Sequence, residues 1–178
     1  MTHTTDDPNM KIITGNNRTG GLIGEFYMTN SSSLNNITIN LPIDGHDEVG
    51  GLIGKLYASS TSSFTLSIDT YNKSTGSQGD QPIKGESKIG GLIGLSSAKQ
   101  GNIILKLSGN PQSHPLSTSS GKYAGGVLGQ AQQTKIEFNN SAKINLNIAN
   151  IKANQYAGGF AGSLENGGTI NVNTQKYN

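Results

Sequence analysis

The chain has 178 residues, a net charge of +2 and no cysteine. This length suits one domain with a hydrophobic core, and the low charge with a single arginine, Arg18, argues against a nucleic acid or an anionic membrane as partner. The lack of cysteine excludes disulfides and thiolate metal sites, and no run approaches the roughly 18 consecutive apolar residues that a membrane span needs.

The chain opens with a polar stretch at residues 1–9. This stretch has neither the basic start nor the apolar run of a signal peptide. Residues 1–18 are predicted to be an N-terminal lead-in segment, and residues 19–178 a repeat domain. The apolar stretch KIIT at residues 11–14 predicts a short strand before the first repeat.

A six-residue block with three glycines occurs five times along the chain. It reads TGGLIG at residues 19–24, VGGLIG at 49–54, IGGLIG at 89–94, AGGVLG at 124–129 and AGGFAG at 157–162. The first glycines of successive blocks are 30, 40, 35 and 33 residues apart. A period of about 35 residues predicts a solenoid or another repeat array.

A second apolar run follows each block, and its side chains alternate with polar ones. Side chains at i, i+2 and i+4 share one face of a strand, whereas a helix would need i, i+3 and i+4. The runs therefore predict half-buried strands. They contain Leu34, Ile37, Ile39, Leu41 and Ile43; Phe64, Leu66 and Ile68; Ile103, Leu105 and Leu107; Ile136, Phe138, Ile144, Leu146 and Ile148; and Ile170 and Val172.

Together the blocks and runs predict an all-β fold, a β-solenoid (β-helix) of about five coils stacked about 4.8 Å apart. The glycines are predicted to form the corners, because a sharp turn with positive φ and a closely stacked neighbouring coil both exclude a side chain. The apolar pair inside each block, such as Leu52 and Ile53, is predicted to fill the core at the corner. The corner glycines are Gly20, Gly21, Gly24, Gly50, Gly51, Gly54, Gly90, Gly91, Gly94, Gly125, Gly126, Gly129, Gly158, Gly159 and Gly162.

The five blocks, together with AGGFAGSLENGGTINVNT at residues 157–174, resemble the GLUG-motif repeats of bacterial surface and secreted proteins. These proteins include large adhesins and immunoglobulin-A peptidases, in which the repeats are non-catalytic. The resemblance extends from residue 19 to about residue 174, although Phe160 and Ala161 replace the usual leucine and aliphatic pair. It implies an extended β-rich module at a bacterial cell surface or outside the cell, and it implies no catalysis.

The glycine blocks do not fit a nucleotide-binding loop. In GGLIGKL at residues 50–56 the glycine spacing is wrong, and Leu56 stands where a hydroxyl is needed. A Gly-x-x-Gly clamp for single-stranded RNA at residues 51–54 lacks flanking basic residues. The cluster DGHDE at residues 44–48 is predicted to be a solvated corner loop, with a site for Ca²⁺ or a transition metal ion as the alternative.

The sequence assigns no catalytic residue, no cofactor and no metal ligand. His3 and His114 are isolated, so they offer no catalytic triad. The carboxylates Asp69, Glu137 and Glu165 are scattered along the chain, which disfavours a polysaccharide-cleaving β-helix enzyme.

The longest excursions between the predicted strands are residues 71–87 and 109–123. The paired asparagines at residues 35–36 and 139–140 fit turns, and they also fit polar ladders that run from coil to coil.

The predicted function is that of a non-enzymatic module of a bacterial surface or secreted protein. Such a module acts as an adhesin-like binder of a host or matrix protein or glycan, through its loops or a flat strand face, or as a spacer. The alternative is a structural protein that stacks end to end into fibres, because open strand edges invite pairing.

Overall fold

The chain forms a stack of five coils, each built from four strands. The computed structural model describes residues 11–39, 41–73, 83–108, 116–118, 122–138 and 151–171. This described part contains strands and connecting turns, and no helix that could span a membrane. The predicted all-β solenoid is thereby confirmed.

The strands follow one another in the same order in every coil. The first coil contains β1 (Ile13–Thr14), β2 (Arg18–Gly20), β3 (Ile23–Tyr27) and β4 (Ser32–Ile39). The second contains β5 (Ile43–Asp44), β6 (Glu48–Gly50), β7 (Ile53–Ala58) and β8 (Phe64–Lys73). The third contains β9 (Ile83–Gly85), β10 (Lys88–Gly90), β11 (Ile93–Ala98) and β12 (Ile103–Ser108). The fourth contains β13 (Leu116–Thr118), β14 (Tyr123–Gly125), β15 (Leu128–Gln132) and β16 (Thr134–Phe138), and the fifth contains β17 (Ile151–Lys152), β18 (Tyr156–Gly158), β19 (Ala161–Glu165) and β20 (Thr169–Asn171).

Equivalent strands of successive coils pair in parallel and form four five-stranded sheets. Sheet A holds the first strand of each coil, sheet B the second, sheet C the third and sheet D the fourth. In sheet D the apolar side chains of β12, Ile103, Leu105 and Leu107, are buried and alternate with more exposed ones. The alternation predicted for this strand is therefore confirmed, and its apolar face lines the core between the sheets.

The glycine blocks connect sheets B and C. The second strand of each coil ends at the first glycine, and the third strand begins three residues later. The first glycines pair with one another in register along sheet B, as Gly20, Gly50, Gly90, Gly125 and Gly158. The corners therefore lie over one another along the stack.

The close approach of backbone to backbone explains why these positions are glycine. A Cβ on Gly90 would lie 1.9 Å from the carbonyl oxygen of Ile93 in the same coil, and one on Gly91 would lie 2.0 Å from the carbonyl oxygen of Gly126 in the next coil. A Cβ on Gly94 would lie 2.7 Å from the carbonyl oxygen of Gly54 in the preceding coil. The predicted positive φ at the corners is wrong, since Gly167, which lies in a turn, is the positive-φ glycine of the described part.

A second set of glycines, which was not predicted from the sequence, lies five residues before the first glycine of each of the first three blocks. These residues are Gly15, Gly45 and Gly85, each one residue after or at the end of a strand of sheet A. A Cβ on Gly45 or on Gly85 would lie 2.6 or 2.7 Å from Cγ2 of Val49. These glycines therefore make room for the inward side chains of sheet B.

Several predicted boundaries change. Strand β1 pairs with β5, so the division at residue 18 falls inside the first coil. The predicted run from Leu34 to Ile43 spans two coils, because β4 ends at Ile39 and Ile43 begins β5. The excursions at residues 71–87 and 109–123 contain strands β9 and β13.

The structure describes one of the two asparagine pairs that were predicted to form turns or polar ladders. Asn36 adopts a φ of 53°, which is typical of turns and bulges, and Asn35 pairs in register with Asp69. Both residues lie inside β4, and its register with β8 continues on either side of Asn36, so the turn interpretation is wrong for this pair. The partner of Asn35 is an aspartate, so the pair does not form an asparagine ladder with the second coil either. Residues 139–140, Ile144, Leu146, Ile148 and Val172 lie outside the described residues.

Two buried threonines differ in how their hydroxyl groups are satisfied. The hydroxyl of Thr19 is buried and has no hydrogen-bond partner among the described residues. The hydroxyl of Thr134 lies 2.9 Å from Ser96 Oγ and donates to the carbonyl oxygen of Gln132 at 3.0 Å. Valine has the shape of threonine without the hydroxyl, so the two positions form a matched pair.

We expect Thr19→Val to raise the free energy of unfolding by about 1 kcal/mol, because it removes an unsatisfied buried polar group. We expect Thr134→Val to lower it by about 1–3 kcal/mol, because it leaves Ser96 without its partner. Chemical denaturation of both variants checks the pair. Equal changes of the same sign would contradict this account of the core.

A further pair of substitutions tests the corner. Gly90→Ala places a methyl group against two backbone carbonyls, since the Val127 oxygen also lies 2.7 Å away, and we expect a loss of about 3 kcal/mol or more. Gly167→Ala meets open space and costs the strain of its φ of 82°, about 1–2 kcal/mol. Thermal and chemical denaturation compare the two. A larger loss for Gly167→Ala would refute the steric explanation.

Candidate functional site

The outward side chains of sheets B and C form one continuous surface along the stack, here called the three-row face. Its first row lies on sheet B and contains Arg18, Glu48, Lys88, Tyr123 and Tyr156. Its second row lies on sheet C and contains Glu25, Lys55, Leu95, Gln130 and Ser163. Its third row contains Tyr27, Tyr57, Ser97, Gln132 and Glu165.

Contacts between side chains join the rows into one surface. Nη1 of Arg18 in the first row lies 2.6 Å from Oε2 of Glu25 in the second row. In the next coil, Nζ of Lys55 lies 3.9 Å from Oε1 of Glu48 and 5.6 Å from the ring centre of Tyr57 in the third row. The glycine corner places the first and second rows side by side, because it brings sheet B against sheet C.

The first three coils carry the charged end of this face. Glu48, whose side chain is 9% exposed, lies 3.3 Å from Nε of Arg18 in the first coil and 3.9 Å from Nζ of Lys88 in the third. The charges in the first row therefore alternate in sign from coil to coil. Because opposite charges on neighbouring strands attract and like charges repel, this alternation stabilises the observed register.

Asp47, beside the first row, extends the same ionic network. Its carboxylate accepts a hydrogen bond from Nζ of Lys88 at 3.3 Å. Partial burial acts to raise the pKa of Asp47, but the hydrogen bond from Ser87 and the charge of Lys88 outweigh it, so the pKa lies below its usual value.

The loop at residues 44–48 does not gather its polar side chains around one point. Nε2 of His46 lies 2.7 Å from Oε2 of Glu86, whereas Asp47 and Glu48 contact Lys88. Over the described residues, no group of three or more His, Cys, Asp or Glu side chains could hold a metal ion. The loop therefore contributes ion pairs between coils, and the metal-site alternative finds no cluster to support it there.

In the fourth and fifth coils the side chains of the face are polar and uncharged, apart from the carboxylate of Glu165. Oε1 of Glu165 accepts hydrogen bonds from Nε2 of Gln130 at 2.7 Å and from Oγ of Ser163 at 2.9 Å. Oε2 accepts one from Nε2 of Gln132 at 3.2 Å. The hydrogen bonds from Gln130 and Ser163 lower the pKa of Glu165, and the charge of Lys88 acts in the same direction.

Tyrosines lie at both ends of the face. The rings of Tyr123 and Tyr156 are stacked, with centres 5.4 Å apart and planes 10° apart. The ring centres of Tyr27 and Tyr57 are 5.6 Å apart, and the hydroxyl of Tyr27 is hydrogen bonded to Ser59. Tyr27 is 50% exposed and Tyr156 is 55% exposed. The face therefore combines large aromatic contact area with fixed polar groups.

Sequence reasoning identified the corner glycines but missed the three-row face. Its signal was present, because the residue two positions before the first glycine of each block is Arg18, Glu48, Lys88, Tyr123 or Tyr156. The residue type at this position differs from block to block. A search for repeats of the same amino acid therefore does not detect the row.

The remaining residues considered from the sequence do not come together in a site. Gly51 and Gly54, the ends of the formal RNA clamp, are buried in the corner. Glu137 on sheet D lies 3.8 Å from Lys106, and Asp69 on the same sheet accepts a hydrogen bond from Ser108, whereas Glu165 lies on sheet C. His3 and His114 lie outside the described residues.

Comparison with known proteins gives no match. No protein-family model fits the chain, and no curated protein and no solved structure is similar enough to be matched.

The network around Glu165 predicts a pH dependence of stability. Because its folded pKa lies below the ordinary value of 4.5, the charged carboxylate stabilises the fold fully above that pH, and the contribution is lost as the pH falls through the lower folded pKa. We expect the stability difference between the wild type and Glu165→Gln to be constant above about pH 5 and to shrink below about pH 4.5.

Thermal unfolding measured across acidic pH tests this expectation. Glu137→Gln, which also removes one negative charge, serves as the control. Parallel acid-unfolding curves for the wild type and Glu165→Gln would show that the Glu165 network does not contribute in this way.

Proposed function

We propose that the chain is a non-enzymatic β-solenoid module of a bacterial surface or secreted protein, with an adhesin-like role in binding a host or matrix protein or glycan. The observation that carries the proposal is the three-row face, on which exposed tyrosines and ordered polar side chains lie on a rigid parallel sheet. The resemblance of the glycine blocks to GLUG repeats supports the surface or extracellular location.

The composition of the face suits recognition of a ligand. Tyrosine supplies a large contact area and a hydroxyl group with few rotatable bonds, and serine and glutamine supply adaptable hydrogen bonding. The side chains stand on strands that pair with neighbours in sheet C on both sides through coils two to four. Such preorganisation reduces the entropy that is lost when a ligand binds.

Binding is favoured over catalysis because the carboxylates of the face already have partners in the fold. Glu48 lies among Arg18, Lys55 and Lys88, and both oxygens of Glu165 accept hydrogen bonds. A general acid or base must be free to reach a substrate proton. The same cross-coil contacts stiffen the stack, which also suits a spacer between other segments of a surface protein.

A bulky substitution in the middle of the face tests the binding role. Ser97 lies in the third row of the third coil and is half-buried, so Ser97→Arg places a large side chain across the face. We expect it to weaken ligand binding by roughly tenfold or more, about 1.4 kcal/mol. Thr65→Arg, on the outer side of sheet D, is the matched control and is expected to bind like the wild type.

The measurement is binding of the isolated chain to a glycan array and to immobilised fibronectin, collagen and laminin. Circular dichroism shows whether both variants fold. If the chain binds none of these probes, or if Thr65→Arg weakens binding as much as Ser97→Arg, the three-row face is not the ligand-binding surface.

A further inference from the structure

Apolar side chains are exposed at the two ends of the stack. The large hydrophobic residues that are exposed in the described part are Ile12, Leu22 and Tyr27 at the first coil, and Tyr156, Leu164 and Ile170 at the fifth. Leu22 is 48% exposed, although its counterparts Leu52, Leu92 and Val127 in the next three coils are buried. The exposure therefore follows the position in the stack and not the residue type.

The corner glycines of the first and fifth coils have the same geometry as those of the inner coils, but a neighbouring coil lies on only one side of them in the described part. The space beside Gly54 is bounded by the carbonyl oxygen of Gly24 in the preceding coil, at 2.6 Å from a built Cβ. Among the described residues, the space beside Gly24 is bounded only by Arg18 of its own coil. At the other end, Gly125 meets Gly162 of the next coil, whereas Gly158 meets its own coil's Ala161.

Both end coils therefore present the surface that packs between coils elsewhere. In the part of the chain that the structure describes, each sheet ends with a strand of the first coil on one side and a strand of the fifth on the other. From coil to coil, the N–H at the fourth block position donates to the carbonyl of its counterpart, as from Leu92 to Val127 at 2.9 Å and from Val127 to Phe160 at 2.8 Å. Continuing this ladder by one coil would bring the N–H of Phe160 to the carbonyl of Leu22 in another copy.

The register of the four sheets defines which residues would meet if the fifth coil of one copy stacked on the first coil of another. Apolar side chains meet inside the stack: Ile151 would meet Ile13, Phe160 would meet Leu22 and Leu164 would meet Phe26. All three pairs continue rows that are apolar in the coils between, except at Ser96 in the last row.

The outward residues are also compatible. The exposed ring of Tyr156 would meet the guanidinium group of Arg18, a pairing that favours cation–π attraction. Ser163 would meet Glu25, and Glu165 would meet Tyr27, so no like charges oppose one another in these rows. The one mismatch is in sheet D, where Ile170 would meet Ser32.

We propose that the fifth coil of one copy of this chain docks on the first coil of a second copy, in the register of the internal coils. The end coil from Ile151 to Asn171 has 21 residues, which is at the lower end of the roughly 20–30 residues on each side of a standard protein interface. The two surfaces differ, so the contact is head-to-tail and leaves a free end after each addition. The product is a filament in which the sheets run on from copy to copy. This proposal is independent of the ligand-binding proposal.

Complementary end variants test the docking directly. Leu164→Lys places a charge on the fifth-coil end, and Leu22→Lys places one on the first-coil end. Leu164→Lys keeps the first-coil end intact, and Leu22→Lys keeps the fifth-coil end intact. Two molecules of the same variant therefore cannot dock through two intact ends. We expect each alone to be monomeric, with self-association weakened by more than about 100-fold because an unpaired charge is buried at the junction. An equimolar mixture is expected to form dimers and no larger species.

The measurement is sedimentation velocity of the full chain from micromolar to millimolar concentration, with electron microscopy of the wild type. Ser63→Lys, an exposed position in the second coil, adds the same charge away from both ends and should assemble like the wild type. Dimer formation in the mixture also shows that both end variants are folded. A wild type that stays monomeric, end variants that still assemble, or a mixture that stays monomeric would each overturn the proposal.

Discussion

In every coil the backbone turns so tightly at the glycine block that the carbonyl three residues after the first glycine occupies the place of a side chain. The distance from a built Cβ to that oxygen is 1.9–2.0 Å at all five first glycines. The second and third glycines of a block also approach the backbone of the next and preceding coils, as Gly91 does at 2.0 Å and Gly94 at 2.7 Å. One steric constraint thus fixes both the angle between sheets B and C and the spacing of the coils.

Parallel pairing then places each side chain in a row with its counterparts, and this explains both the core and the surface. Inward rows such as Val49 and Ile89 remain apolar and buried in the inner coils. In outward rows, each charged side chain is stabilised by an opposite charge in the next coil. The charge accordingly alternates in sign from Arg18 through Glu48 to Lys88. A coil in such a stack is stabilised mainly by the coils on either side, so burial is greatest in the middle and declines towards both ends.

The sequence predicts the features that depend on local spacing. The block glycines are predictable because the same three glycine positions recur inside every six-residue block, and the alternation of Ile103, Leu105 and Leu107 because its period is two residues. Strand β5 was not, because the two residues Ile43 and Asp44 carry no periodicity of their own and are a strand through pairing with β1 and β9. Leu22 was predicted to be core like Leu52, but burial at that position comes from the coils on both sides.

The in-register parallel pairing that forms the three-row face also determines where this face would lie in a larger assembly. The outward rows follow from the register between neighbouring strands. A second copy of the chain that docks in the same register would therefore extend each row. Tyr156 would then be followed by Arg18 of the next copy, and the three-row face would recur along one side about every 24 Å, the length of five coils. A ligand with repeated binding sites would gain from that spacing through effective concentration. Tyr27 and Tyr156 would then contact the neighbouring copy, whereas the rows of coils two to four would stay open to a lateral ligand.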